Sequence, residues 1–502
     1  MRLTIGQGAL MFFRILLCFL LASSFAIAEA NSVLVDAVKN NDHETALHLI
    51  KQGTDVNQTE IDGSCALLWA AHNEDVELVK SLLRADADVA KANDYGASPL
   101  MEAASVGNAE IIKLLLKAGA DPNSKNPEGQ TALMSVARTG KLDAAKELLK
   151  RGADVNVREG WGGQTALMWA AAQQQVGMIK LLIKHGADVN ARATERDWER
   201  RVTAEPRIKE LHAGGLTPLL YAARAGCVDC AKQLAANGAD INLSDPYGVT
   251  PLIIALLNFN YDTAKYLIEA GADVNRWDWW GRTPLYTAID MNMIPRGARP
   301  DLPSLDTATG IDIARMLLER GANPNFQLKL RPPLRNIVFD RGADVMLSAG
   351  ATPLLRAARS ADVDAIKLLL QYNALIDLDN TEGVTPIMAA AWKGGTRGKF
   401  KTEQQAAAAL KLLVEAGGDI NQTDKFGRTA LHGATRQGWN DVVRSLAMLG
   451  ADLQAKDING LTPYDYATGK ADKVEFGNFD VVGELPETKA VLEQLLAANS
   501  AN

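Results

Sequence analysis

A unit of about 33 residues recurs along nearly the whole chain, and this period decides what the chain can fold into. The unit is plainest in ASPLMEAASVGNAEIIKLLLKAGADPNSKNPEG, which begins at Ala97. It returns as GLTPLLYAARAG followed by GADIN, as GVTPLIIAL followed by GADVN, and as GRTALHGATRQG followed by GADLQ. The spacing from Gly119 to Gly152 is 33, as it is from Gly238 to Gly271 and from Gly417 to Gly450. A fixed period of this length means a stack of like units rather than a set of separate globules.

Each unit reads as two short helices and a turn. Ser98 or Thr217 is placed to cap a helix, and Pro99 or Pro218 follows at the first helical position, where a missing N–H costs nothing. Leu100, Ala103 and Ala104 then form one apolar face, and Gly107 ends the helix. Ile111, Ile112, Leu115 and Leu116 give a second helix a wider face, which Gly119 stops. Neither helix can bury its stripe alone, so neighbours must stack. The period and the T-P-L opening resemble the ankyrin repeat. That resemblance implies an all-α solenoid of about twelve helix–turn–helix units, and a function that rests on binding.

Arg2 and Arg14 precede the apolar run ILLCFLLASSFAIA, which ends in Ala26-Ile27-Ala28. This pattern predicts a secretory signal peptide over residues 1–28, cut after Ala28 or Ala30. Its style looks bacterial, so the expected location is periplasmic or secreted. No later apolar run is long enough to span a bilayer, so no membrane contact is expected after cleavage. The formal net charge of −7 does not suit a nucleic-acid binder.

Residues 31–63 lack the T-P-L opening and read as an N-terminal capping unit. The array proper runs over 64–460. Residues 461–502 read as a degenerate capping unit followed by a closing helix. Four spacings break the period: Gly186 to Gly238 is 52, Gly271 to Gly321 is 50, Gly321 to Asn373 is 52 and Asn373 to Gly417 is 44. The first and third place insertions near 191–215 and 326–350, in turns between units. The second and fourth place them near 292–310 and 393–405, between the two helices of a unit. Such loops either carry binding or drift neutrally. By the resemblance, the turn insertions lie beside the concave face and are the better binding candidates.

No HExxH, P-loop, GxSxG or well-placed GxGxxG occurs, and the six histidines show no metal-ligand spacing. No catalytic residue, cofactor or metal is expected. Cys227 and Cys230 form the one chemical motif. CxxC admits a redox pair, half a metal site or a local disulfide. It also admits a bland reading, with Cys230 filling a small buried position and Cys227 in the loop.

Aromatic residues stand in the turns: Tyr95, Trp161, Tyr247, Trp279, Trp280 and Phe426, with Trp277 beside the pair. Turns need Gly, Asn, Asp and Ser for backbone reasons, not Trp. These residues either pack on the next turn or anchor a partner. Trp69 and Trp169, inside the first helix of their units, read as packing. One register of the first helix holds Arg138, Arg224, Arg359 and Arg436. The resemblance turns this register toward the concave groove. Arg356, Arg359, Trp392 and Arg436 would then form a basic–aromatic patch for a carboxylate-bearing partner; the plain alternative is a solvated polar face. The reading is therefore an exported scaffold that binds a protein, with acidic chemistry expected of it. The alternatives are a thiol-redox or other enzymatic role at the CxxC pair, and a toxin-neutralising or host-directed binder.

Overall fold

The computed structural model describes residues 33–196, 213–292, 306–330, 332, 345–392, 401–471 and 483–500. The signal segment lies outside these residues, as do the central parts of the four insertions. Among the described residues the chain is all-helical, and its β structure is limited to isolated bridges such as Thr59 with Cys65 and Lys125 with Thr131.

Local chemistry sets the helix ends. Ser98 lies in the extended region and its Oγ accepts from the Met101 N–H at 3.2 Å, while Pro99 opens the helix Pro99–Val106. Thr131, Thr165, Thr217, Thr250, Thr283, Thr352 and Thr385 repeat the same cap. Each such cap is worth about 1 kcal/mol. Gly107 takes a left-handed conformation to end the helix, and Asn108 caps the next one, Ala109–Lys117, by accepting from Ile111 at 3.1 Å. Asp42, Asp75 and Asp362 cap other second helices in this way.

The chain forms two compact units. The first comprises residues up to Thr194 with Leu216–Tyr221 and Gln233–Ala239; the second comprises the rest. In the first, Leu67, Leu78, Leu82, Leu100, Ile111, Leu115, Leu133 and Leu148 make a continuous core between successive helix pairs. In the second, Leu252, Leu267, Leu285, Leu317, Ile366, Leu369, Leu410 and Leu446 do the same. Full burial of one such side chain contributes roughly 1.5–3 kcal/mol. The intervening alanines, among them Ala103, Ala104, Ala357 and Ala358, are wholly buried and let the helices approach closely.

Two polar ladders tie successive repeats together. The first joins the turns. Asp94 N–H donates to Asp62 O at 2.8 Å and Gly160 N–H to Glu128 O at 2.7 Å; in the second compact unit Trp279 N–H donates to Tyr247 O at 2.7 Å and Ile458 N–H to Phe426 O at 3.0 Å. This close approach explains Gly129. Its φ is +78°, and a Cβ there would lie 2.8 Å from the Gly160 nitrogen.

The second ladder uses the asparagine that stands four residues past most repeat-ending glycines. Asn123 donates through Nδ2 to Gly152 O at 3.0 Å and accepts at Oδ1 from Asp154 N–H at 2.7 Å. Asn57 and Asn156 make the same two bonds, and Asn275 and Asn325 do so in the second compact unit. Asn325 reaches Asn373 O and Leu375 N–H although an insertion separates them in sequence.

The insertion near 326–350 leaves both ladders in place, since Lys329 N–H donates to Trp280 O at 2.8 Å and Asn325 still grips the following repeat. The one near 191–215 has an antiparallel base, with Glu195 bridged to Gly214 and Arg196 N–H donating to Ala213 O at 2.7 Å. Near 326–350, Leu328 N–H donates to Ala351 O at 3.0 Å and Gly350 N–H to Leu328 O at 2.7 Å. The other two lie between helices: Pro284–Asn292 precedes Gly310–Glu319, and Pro386–Ala391 precedes Glu403–Glu415. The closing helix spans Pro486–Ser500.

Candidate binding surfaces

The turns present their aromatic residues unequally. In the run from Trp277 to Trp280, Asp278 Oδ1 accepts from the N–H groups of Trp280 at 3.1 Å and Arg282 at 2.9 Å, which folds the turn. Trp279 then stands 63% exposed while Trp280 is only 5% exposed. Of the two readings open for Trp280, its burial fits packing and corrects its place among the partner-binding candidates. Its ring lies 5.5 Å from that of Tyr247, and the Arg282 guanidinium stacks on it at 4.8 Å. Arg282 Nε in turn donates to Asp278 Oδ2 at 2.6 Å, in a pair shut off from solvent. Burial pushes the Asp278 carboxyl up, and the Arg282 charge and hydrogen bonds work against that. The repeat at Asp424 and Arg428 copies this arrangement, with the Arg428 guanidinium 4.5 Å from the Phe426 ring. Trp277 is 45% exposed, with Phe326 at 5.8 Å and Lys329 Nζ at 4.4 Å from its ring. Tyr247 is half-buried. In the first compact unit Tyr95 and Trp161 are each 75% exposed at their turn tips.

The expected arginine groove is also corrected. Arg359 is 7% exposed and donates through Nη1 to Trp392 O at 2.6 Å. Arg436 is 5% exposed. Arg356 is held by Asp290, Nε to Oδ1 at 2.5 Å, and by Ser360 Oγ at 3.0 Å. Trp392 is half-buried and leaves the helix in an extended conformation, which aims its carbonyl at Arg359. Arg356 and Arg359 are thus bonded to neighbouring repeats. Arg224 is half-buried. Arg138, in the same register of the first compact unit, is exposed and lies over the Trp169 ring at 5.5 Å.

Cys227 and Cys230 form a disulfide with their Cα atoms 5.2 Å apart, and both are buried. Cys230 N–H also points at Cys227 Sγ at 3.1 Å, so the sulfur sits where other repeats place a capping Asp or Asn. Cys65 is a buried free thiol, and burial pushes its pKa up. His432 is fully buried between Thr429 and Leu461 O, with Tyr466 against its ring.

The turns, caps and ladders recur with the repeat, and family comparison gives the repeat its name. A model of ankyrin repeats in three copies matches residues 34–126, 107–193, 202–278, 219–328 and 401–485, and a single ankyrin repeat matches 349–381. The chain belongs to the ankyrin-repeat family. Curated relatives align over short stretches. Neurogenic locus notch homolog protein 1 of Homo sapiens is 34% identical over 91 residues, 18% of this chain and 4% of that protein. The nuclear factor NF-kappa-B p105 subunit of Gallus gallus is 32% identical over 156 residues, 28% of this chain and 15% of that protein. Serine/threonine-protein kinase 12 of Arabidopsis thaliana is 36% identical over 89 residues, 18% of each. The chain spans less than a fifth of the length of these relatives.

Proposed function

We propose that this ankyrin-repeat protein is an exported, non-catalytic scaffold that binds a protein partner through its turn tips. One observation carries the reading. Trp279, with Trp277 beside it, and Tyr95 and Trp161 elsewhere, keep large apolar rings in water on turns whose backbone is already held by hydrogen bonds. Folding does not call for those rings there, and Trp and Tyr dominate binding hot spots because they bury much area at small entropic cost. The Cys227–Cys230 disulfide suits an oxidising compartment. Among the described residues no helix is long and apolar enough to cross a membrane.

The test is capture of a partner by the wild-type protein, then calorimetry with Trp277→Ala combined with Trp279→Ala. The double variant should keep its helical signal and melting temperature yet bind the captured partner at least tenfold more weakly. Unchanged affinity removes the turn tips from the interface. For export, N-terminal sequencing of the mature protein should start at Glu29 or Asn31; a chain still starting at Met1 rejects the cleaved leader.

A further inference from the structure

Two repeats of the first compact unit carry a tryptophan at the same place in their first helix, and they differ in one respect. Trp69, in Ala66–His72, donates from Nε1 to Glu60 Oε2 at 3.1 Å. The other oxygen of that carboxylate accepts from Lys39 Nζ at 2.7 Å, and the same ammonium lies 5.0 Å from the Trp69 ring. A cation from the preceding repeat, an indole N–H and a carboxylate thus close into one polar cluster.

Trp169, in Ala166–Ala172, has the first two members. Arg138 comes from the preceding repeat and stacks on the indole ring at 5.5 Å. The carboxylate is directed elsewhere. Glu159 stands where Glu60 stands, just ahead of the turn, but this turn is one residue longer. Its carboxylate folds back to accept from the N–H groups of Trp161 at 2.7 Å, Gly162 at 2.6 Å and Gln164 at 2.9 Å. The Trp169 Nε1–H is buried and has no hydrogen-bond acceptor. Leaving such a donor unmatched costs on the order of 1–3 kcal/mol, which an acceptor supplied from outside would recover. Arg138 is exposed and long enough to turn aside with an incoming group while keeping its own bond to it.

We propose that Arg138 and Trp169 form a subsite for a carboxylate side chain from an acidic segment of the protein partner. The cluster at Trp69 supplies the geometry: one carboxylate oxygen on the indole N–H, the other on the cation. Arg suits this better than Lys, since its planar fork matches a carboxylate. The exposed ring of Trp161, on the turn of the same repeat, offers apolar contact to the residues flanking that carboxylate. The inference rests on the scaffold reading for its partner, but the subsite itself can be tested without one.

The probe is an octaglutamate peptide, followed through the indole N–H resonance of Trp169 in the full chain, assigned with Trp169→Phe. Titration should move that resonance and leave Trp69 in place, and added salt should weaken the effect. By anisotropy, Arg138→Gln and Trp169→Phe should each bind the labelled peptide about tenfold more weakly, and Lys39→Gln should bind like the wild type. Circular dichroism and the melting temperature establish that each variant is folded. A stationary Trp169 resonance up to millimolar peptide overturns the subsite. So does an equal response of wild type and both variants, or a shift produced by octathymidylate and not by octaglutamate. If the wild type captures a protein partner that Arg138→Gln binds equally well, the subsite falls and the scaffold stands. If the wild type captures none while the peptide moves Trp169, the scaffold reading falls and the subsite stands.

Discussion

At the scale of single residues, the asparagine ladder is interrupted at Ala90 and at Asp377, among other positions, and these defects make it testable. Ala90 occupies the position where Asn57 and Asn123 clamp the following repeat, and Gly119 O and Asp121 N–H stand where the two bonds would form. Ala90→Asn should therefore raise stability by about 1 kcal/mol, read as a higher urea midpoint. Asn156→Ala should lower it by a similar amount. At the second defect Asp377 replaces the asparagine; it accepts from Asp419 N–H at 3.1 Å, but a carboxylate cannot donate in return. His432 gives a pH dependence. Burial holds its pKa below the ordinary value near 6.5, with the Leu461 carbonyl acting the other way. The fold therefore favours the neutral ring, and the unfolded chain takes up the proton first. The associated stability is present above about pH 6.5 and is lost as pH falls through the folded value. His43, whose pKa the Asp75 carboxylate raises, contributes with the opposite sign. The clean measurement is thus a comparison. Between pH 7.5 and 5.5 the wild type should lose more stability than His432→Gln, and equal losses would assign the acid sensitivity elsewhere.

At the scale of elements, most of the architecture was legible because it rests on local chemistry. Thr or Ser before Pro-Leu or Ala-Leu marks a cap at Ser98, Thr131, Thr165, Thr217, Thr250, Thr283 and Thr352, and Gly107 and Gly119 stop helices for backbone reasons. The asparagine ladder was legible in principle: Asn123, Asn156, Asn190, Asn242, Asn275 and Asn325 each follow a repeat-ending glycine by four residues. A turn explains that composition equally well, so the clamp did not stand out. The candidate arginines were misplaced for a different reason. Whether Arg359 meets solvent depends on the carbonyl of Trp392 in the next repeat, and that carbonyl is aimed by a helix that ends early. The helix Pro386–Ala391 has only six residues, and Lys401, in the last part of the insertion, donates to Ala389 O at 2.9 Å and Ala390 O at 2.6 Å. Lys401→Met keeps the apolar stem and removes these bonds. It should cost roughly 1–3 kcal/mol in urea unfolding, and a cost near zero would mean that water satisfies the same carbonyls.

At the scale of the whole molecule, a repeat array is held by interfaces between neighbours, so stability is lowest where a neighbour is missing. Among the described residues, Val33–Lys39 and His43–Lys51 have a repeat on one side only, whereas Ala132–Thr139 and Leu142–Lys150 are enclosed on both. Native-state hydrogen exchange should release the amides of the first pair well before those of the second. Uniform protection across the two pairs would show that the first compact unit opens only as a whole.

The asparagine clamps have a further implication. They grip peptide groups, never side chains, so each repeat fits its neighbour whatever that neighbour's outward residues happen to be. Asn325 does this even across an insertion. Repeats joined by such generic couplings are interchangeable parts. Evolution can rewrite the exposed rings at Tyr95, Trp161 or Trp279, or splice whole repeats in and out, without refitting the joints.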